Sequence, residues 1–244
     1  MPTPPTNVGA GLRVGNAADK RYPAFGGYSS TWYTRTVVPS ASTASAVADF
    51  ATVSGGSWTL AAGPNATSVT IQGTTYIQLD TARVITATGS GASSAAVNIT
   101  VNGLEEIVAL DGTMTSGQPL TQTFSGPSGT ATTATTKTFR WIRSVTTDGN
   151  TVSGVGIGQG DTLGLPYYVP YVGNIAINYN DTAITASTGF TAGVTTSATA
   201  TTGDVRGTYA LQTAANGSRR FTVSVWLFDP NTVTSLYGVS QYSA

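Results

Sequence analysis

The chain has 244 residues, no cysteine, no histidine, and eleven basic and eleven acidic side chains, so its formal net charge is zero. These absences exclude disulfides, thiolate nucleophiles, Cys- or His-ligated metals and every catalytic triad that uses an imidazole. Charged residues make up only 9% of the chain, against roughly 25% in an average globular protein. Such a neutral, hydroxyl-rich chain is not steered toward nucleic acid or anionic membranes, and we expect neither as a partner.

Residues 1–44 are rich in proline and glycine and show no sustained hydrophobic period. This composition predicts an extended N-terminal arm that packs on its own domain or on a neighbour; the alternative is a disordered leader. The start of the chain lacks a signal-peptide pattern, and no apolar run is long enough for a transmembrane helix. The residues of the arm predicted to bind a partner are Arg13, Lys20, Arg21, Tyr22, Phe25, Trp32, Tyr33 and Arg35.

From about residue 45 the apolar residues recur with a period of two, which indicates half-buried strands. We predict an all-β protein, an antiparallel β-sandwich of Ig-like or jelly-roll-like type, with a sandwich domain at 45–166 and a C-terminal β domain at 167–244. One segment, residues 40–50, is predicted to be a short helix or a linker. The apolar residues that carry the alternation are Val69, Ile71, Ile77, Leu79, Val97, Ile99, Val101, Phe139, Trp141, Val145, Phe221, Val223, Val225 and Leu227.

Four dipeptides predict turns, because Asn-Gly and Asp-Gly readily adopt the positive φ that two-residue hairpins require. The pair Asn216-Gly217 is of special interest, since Arg206 precedes it and Arg219 and Arg220 follow it. We interpret this region as a strand with its turn; the alternative is an interface site. The predicted turns are Asn102-Gly103, Asp111-Gly112, Asp148-Gly149 and Asn216-Gly217.

The sequence predicts no catalytic, metal or cofactor site. GVGIGQG, residues 154–160, has no following lysine or helix and is interpreted as a glycine-rich strand or bulge beside a closely approaching backbone. Glu105 and Glu106 are adjacent in a predicted strand, so their side chains should point to opposite faces. A glycosidase that uses two aspartates is a minor alternative, and a turn aspartate in solvent is the favoured role of each candidate: Asp111, Asp148, Asp161, Asp181 and Asp204.

Five segments between about residues 117 and 244 carry glycine, threonine and turn patterns: QPLTQTFSG, TKTFRWIRSVTTDGN, GVGIGQGDTLGLP, ATATTGDVRGTYALQTAANGSRRFTV and SLYGVSQYSA. Together these segments resemble structural proteins of tailed-bacteriophage virions. The group includes capsid decoration (cement) proteins and head fibres built as β-sandwiches. The resemblance therefore implies a virion component without enzymatic activity.

We accordingly expect a capsid decoration protein on the exterior of a virion that is assembled in the cytoplasm of a bacterial host. Its expected partners are the major capsid protein and further copies of the chain, as a dimer or trimer. The alternative is a tail or fibre component that binds a host receptor or a glycan. For that alternative, the candidate binding face consists of Tyr167, Tyr168, Tyr171 and Tyr179.

Overall fold

The computed structural model describes residues 30–91, 97–108, 114–151, 153–194 and 203–228. These residues form thirteen strands and one short 3-10 helix, Val172–Asn174, and they contain no α-helix. The predicted all-β class and the antiparallel sandwich are confirmed. The strands are β1 (Ser30–Val37), β2 (Thr43–Ala51), β3 (Ala66–Ile71), β4 (Thr74–Gly89), β5 (Asn98–Val108), β6 (Met114–Ser125), β7 (Thr132–Thr147), β8 (Val155–Gly164), β9 (Ile175–Tyr179), β10 (Thr182–Ile184), β11 (Phe190–Ala192), β12 (Gly207–Ala210) and β13 (Phe221–Phe228).

The strands form two antiparallel sheets. The small sheet has the order β1-β13-β9-β10, and the large sheet has the order β11-β12-β8-β4-β7-β5-β6, with β2 paired to β8 and β3 to β4. Strands of the predicted C-terminal β domain occur in both sheets, because β12 pairs with β8 while β13 pairs with β9. Both sheets therefore extend across the predicted boundary at 166/167. The domain boundaries at 44/45 and 166/167 stay predictions.

Two hydrophobic clusters lie in this fold. The first contains Ile85, Ile99, Phe139 and Ile157 of the large sheet, and Ala46, Val47 and Ala48 of β2. The second contains Phe221, Val223 and Val225 of β13 together with Leu163, Tyr167, Ile177 and Tyr209. The alternation predicted for residues 221–225 is thus confirmed as a strand with one buried face. Strand β8 contributes to both clusters.

All but the first residue of the glycine-rich segment GVGIGQG, residues 154–160, lie in β8, as the sequence predicted. A Cβ atom at Gly158 would lie 1.9 Å from the carbonyl oxygen of Thr43, and one at Gly156 would lie 2.7 Å from that of Ala44. The glycines therefore let β2 pass directly over β8. This contact also explains why residues 43–51 form a strand and not the predicted helix or linker, since β2 pairs with β8.

Three of the predicted hairpins are wrong. At Asp148-Gly149 neither residue has a positive φ, and the connection joins β7 to β8, which both pair with β4 and not with each other. Asn102-Gly103 lies inside β5, where the register against β7 shifts and a Cβ atom at Gly103 would lie 2.1 Å from the carbonyl oxygen of Trp141. Gly217 has a positive φ, but the turn at Asn216-Gly217 joins β12 and β13, which belong to different sheets. The two-residue connections occur at Gln72-Gly73 and Asn180-Asp181, whose φ values are all positive. Asp111-Gly112 lies outside the described residues.

Asp148 lies in the connection between β7 and β8 and holds it against β5. Its carboxylate accepts hydrogen bonds from the backbone N of Asn98 at 2.8 Å and from Asn98 Nδ2 at 2.7 Å. These hydrogen bonds lower the pKa of Asp148 below its ordinary value of 3.8. The ionised carboxylate therefore stabilises the connection.

We predict that substituting Gly158 by alanine destabilises the protein, because the new methyl group would clash with the backbone of β2. The expected loss is about 1–3 kcal/mol in the free energy of unfolding, measured by chemical denaturation. Gly173→Ala is the matched control, since its Cβ would meet no atom within 4 Å. Equal stability of the two variants would contradict the close approach of β2 and β8.

We also predict that Asp148 titrates below 3.8, as measured by the pH dependence of its carboxyl chemical shift in NMR. Because the pKa is lowered in the folded state, this stabilisation is present above 3.8 and is lost as the pH falls through the folded-state pKa. Asn98→Ala removes the Nδ2 donor, so the pKa should rise toward the ordinary value. A wild-type pKa at or above 3.8 would exclude the proposed hydrogen bonding.

Candidate functional site

The most unusual feature of the described structure is a set of buried or partly buried charged side chains, here called the buried charge network. It lies mainly on the large sheet and reaches the small sheet through Arg35. It contains five basic and five acidic side chains, so it is electrically balanced and holds nearly half of the charges of the chain. Isolated charges are costly to bury, and pairing offsets that cost. Its members are Arg35, Asp80, Arg83, Glu105, Glu106, Lys137, Arg140, Asp161, Asp204 and Arg206.

Glu106 is the centre of the network. It lies on β5 and accepts two hydrogen bonds of 2.9 Å from Arg35 of β1, one at each carboxylate oxygen. The Nε atom of Arg140, on β7, lies 3.7 Å from the same carboxylate, and the backbone N of Ala82 donates to it at 3.3 Å. Because β1 belongs to the small sheet and β5 to the large sheet, the Arg35–Glu106 pair joins the two sheets.

Asp204 is a second anchor, and it holds the segment before β12 against β7. One carboxylate oxygen accepts from the backbone N and the hydroxyl of Thr138 at 2.9 and 2.7 Å, and the other accepts from the backbone N of Arg206 at 2.9 Å. Arg206 continues the network, since its Nη1 donates to the carbonyl oxygen of Glu106 and its Nη2 lies 3.4 Å from Glu105. The predicted role of Asp204 as a solvated turn residue is therefore wrong, because the side chain is buried.

Burial disfavours the charged form of two cations of the network. Desolvation lowers the pKa of Lys137, and the charges of Asp204 and Glu105 oppose this effect. Desolvation also lowers the pKa of Arg140, opposed mainly by Glu106. Lys137 Nζ donates to the carbonyl oxygen of Gly203 at 2.9 Å, and the Arg140 guanidinium lies 5.7 Å from the ring centroid of Trp141. The surrounding acids therefore stabilise cations that burial disfavours.

Arg83 extends the network to the segment between β1 and β2. Its guanidinium donates to Asp80 and to the carbonyl oxygen of Ser40, both at 2.8 Å, and lies 3.8 Å from Asp161. Asp80 in turn accepts from the backbone N and the hydroxyl of Ser40 at 2.6 Å. The chain is thus fixed to the large sheet at Ser40.

The structure describes the side chains of two of the predicted partner-binding residues, Tyr33 and Arg35. Both lie on β1 and take part in contacts within the chain, since Arg35 pairs with Glu106 and the Tyr33 ring lies 5.6 Å from that of Tyr167. Trp32 pairs with Trp226 through the backbone. Arg13, Lys20, Arg21, Tyr22 and Phe25 lie outside the described residues, so their predicted role stays a prediction.

The structure also separates the three arginines near Asn216-Gly217 and the four tyrosines that the sequence analysis grouped. Arg206 is part of the network, whereas Arg219 donates to the carbonyl oxygen of Ala214 and Arg220 pairs with Asp181 at the surface. The three arginines therefore do not form one patch. Of the tyrosines proposed as a glycan-binding face, Tyr167 and Tyr179 are buried in the second cluster, and only Tyr171 is strongly exposed, at 71%. No such four-tyrosine face exists.

An open surface pocket of about 510 Å³ lies beside the segment that follows β2, between Asp49 and Ala61. The indole of Trp58 lines it but is buried and donates to the carbonyl oxygen of Val155. The part of the chain that the structure describes holds no group of three or more side chains arranged to bind a metal ion. Within that part, no helix has the length and hydrophobicity needed to cross a bilayer.

Comparisons with protein-family models, with curated proteins and with solved structures returned no match. The resemblance to virion structural proteins therefore stays a prediction.

We predict that Glu106→Gln is strongly destabilising, because it removes the buried carboxylate that pairs with the partly buried Arg35 and the buried Arg140. The expected loss is about 3–5 kcal/mol, measured by denaturant unfolding. Asp181→Asn is the matched control, because the Asp181–Arg220 pair is exposed, and its expected effect is about 0–1 kcal/mol. If the two substitutions lower the free energy of unfolding by the same amount, Glu106 does not hold the sheets together.

Proposed function

We propose that this protein is a structural component of a bacteriophage virion and that it decorates the exterior of the capsid. In this role it binds the major capsid protein and stabilises the joints between capsid subunits, and it acts without a catalytic group. The sequence segments that resemble virion proteins support this proposal. It implies a particle assembled in the cytoplasm of a bacterial host, with no nucleic acid or membrane as a direct partner.

The observation that carries the proposal is the inward placement of charge together with a neutral outer face on the small sheet. On this face, Thr34 and Ser224 share a hydrogen bond of 2.8 Å, and Thr36 and Thr222 share one of 2.9 Å. Asn178 of β9 lies beside Thr222 in the same register. We call this surface the hydroxyl face, composed of Thr34, Thr36, Ala176, Asn178, Thr222 and Ser224.

The hydroxyl face suits docking on a regular shell. Hydroxyl and amide groups form short-range contacts that depend on shape, and they are not screened by salt as ion pairs are. Each such contact is weak, but a shell presents many copies of the same site. Contacts between neighbouring copies of the protein then raise the effective concentration of each copy at its site on the shell. The weak contacts together give stable attachment to the capsid.

The alternative, a tail or fibre component that binds a receptor or a glycan, retains one observation in its favour. Tyr171 and the neighbouring Val172 are both exposed, at 71% and 39%, in the segment before β9. Exposed aromatic side chains are common at binding surfaces. The four-tyrosine face on which this alternative was predicted does not form, so capsid decoration is the better supported function.

The test is a cryo-electron microscopy reconstruction of particles produced with and without the gene for this chain. We predict additional density on the outer surface of the head, at joints between capsid subunits, that disappears when the gene is deleted. Thr36→Glu with Thr222→Glu, which places charge on the hydroxyl face, should reduce the occupancy of this density. Thr100→Glu with Thr123→Glu is the matched control, since that pair is also exposed and hydrogen bonded but lies on the large sheet. Density at the tail or on a fibre would instead support the alternative.

A further inference from the structure

Strand β1 is an edge strand at the end of the small sheet. All eight of its residues pair with β13, from Ser30 opposite Phe228 to Val37 opposite Phe221. Among the described residues, no strand pairs with its other edge. Within the described residues, the backbone of β1 thus pairs along one edge only, so an identical strand can replace β1 as a whole.

The surface that receives β1 is specific. We call it the β1 seat; it consists of the edge of β13, the carboxylate of Glu106 and the ring of Tyr167. A cavity of only about 10 Å³ remains where Arg35 and Val37 meet Leu163 and Phe221, which is room for about one water molecule. The seat thus closely fits the inward-facing side chains of β1.

The charge of the seat restricts what can occupy it. Glu106 is buried, so a strand in the seat must bring a cation opposite this carboxylate, as Arg35 does. An inward-pointing charge on an edge strand also disfavours pairing with unrelated strands. Among the strands that the structure describes, β1 provides an arginine in the required register. A fitting occupant is therefore this strand, from the same copy or from a second copy.

The connection after β1 allows the strand to leave without disturbing the rest of the fold. Val38 directly follows β1 and is 45% exposed. Two residues later, Ser40 is fixed by hydrogen bonds with Asp80 and Arg83. The chain from Ser40 onward is therefore held to the large sheet by contacts that do not involve β1. Pro39 is also fixed, since it is buried and its carbonyl oxygen accepts from the backbone N of Gly217 at 2.9 Å, so Val38 is the residue at which the chain can change direction.

We propose that β1 is exchanged between copies of this chain, so that Arg35 of one copy pairs with Glu106 of its neighbour. This inference rests on the proposed function, because decoration places copies side by side at high local concentration. The exchanged and unexchanged forms contain the same strand pairing and the same ion pair, so exchange requires no new surface. A copy that donates its strand must receive another to cover Glu106, so the exchange closes into pairs or rings.

The absence of cysteine allows a direct test by disulfide crosslinking. Thr36 and Thr222 are directly opposite one another on β1 and β13, and their hydroxyls are 2.9 Å apart. Thr36→Cys and Thr222→Cys are introduced into separate full-length chains, which carry different tags and are co-expressed. After oxidation, exchange predicts a covalent heterodimer, in about tenfold excess over the control described below.

The control pair is Thr88→Cys with Thr132→Cys, again in separate chains. These threonines are also opposite one another with hydroxyls 2.9 Å apart, but they lie on β4 and β7, which are inner strands of the large sheet. A double variant with Thr36→Cys and Thr222→Cys in one chain verifies that the two thiols can form a disulfide. If that double variant crosslinks while the separate chains give no heterodimer above the control, the exchange is excluded.

The failure of the exchange can be distinguished from failure of the proposed function. If wild-type protein decorates phage heads but the separate cysteine chains give no heterodimer at high concentration in solution, where the double variant does crosslink, the function stands and the exchange is wrong. If wild-type protein is absent from the heads, the function is wrong; a heterodimer in solution would then still support the exchange.

Discussion

The paired hydrogen bonds between Arg35 and Glu106 are the contact on which the arrangement of the two sheets depends. They connect β1, the edge strand of the small sheet, to β5 of the large sheet, and the same carboxylate lies beside Arg140. A buried carboxylate without such partners would be strongly unfavourable. The position of β1 is therefore determined by charge as well as by backbone pairing with β13.

The same constraint explains the neutral character of the surface. The chain has few charges, and nearly half of them are gathered in the buried charge network, where five basic and five acidic side chains balance one another. Threonine, serine and asparagine side chains therefore form much of the solvent-exposed surface, as on the hydroxyl face. A protein built in this way is suited to docking through shape and hydrogen bonds rather than through long-range attraction.

The sequence predicted what depends on local pattern. The period of two identified the strands around Ile99 and Val223, and the alternating glycines of β8 indicated a closely approaching backbone. It did not predict the buried charge network, because Glu106, Arg140 and Arg206 are distant in sequence and meet only through the order of the strands. The closest signal was the placement of adjacent glutamates in an apolar strand. The turn at Asn102-Gly103 failed for a related reason, since pairing with β7 outweighed its local preference.

The most direct test of this account is a double-mutant cycle with Arg35→Leu and Glu106→Leu, measured by denaturant unfolding. Each single substitution leaves a buried charge without its main partner, whereas the double substitution removes both charges. The account predicts that the double variant loses much less stability than the sum of the two single variants. Simple additivity of the two losses would show that the pair does not hold β1 to the large sheet, and it would contradict the central claim.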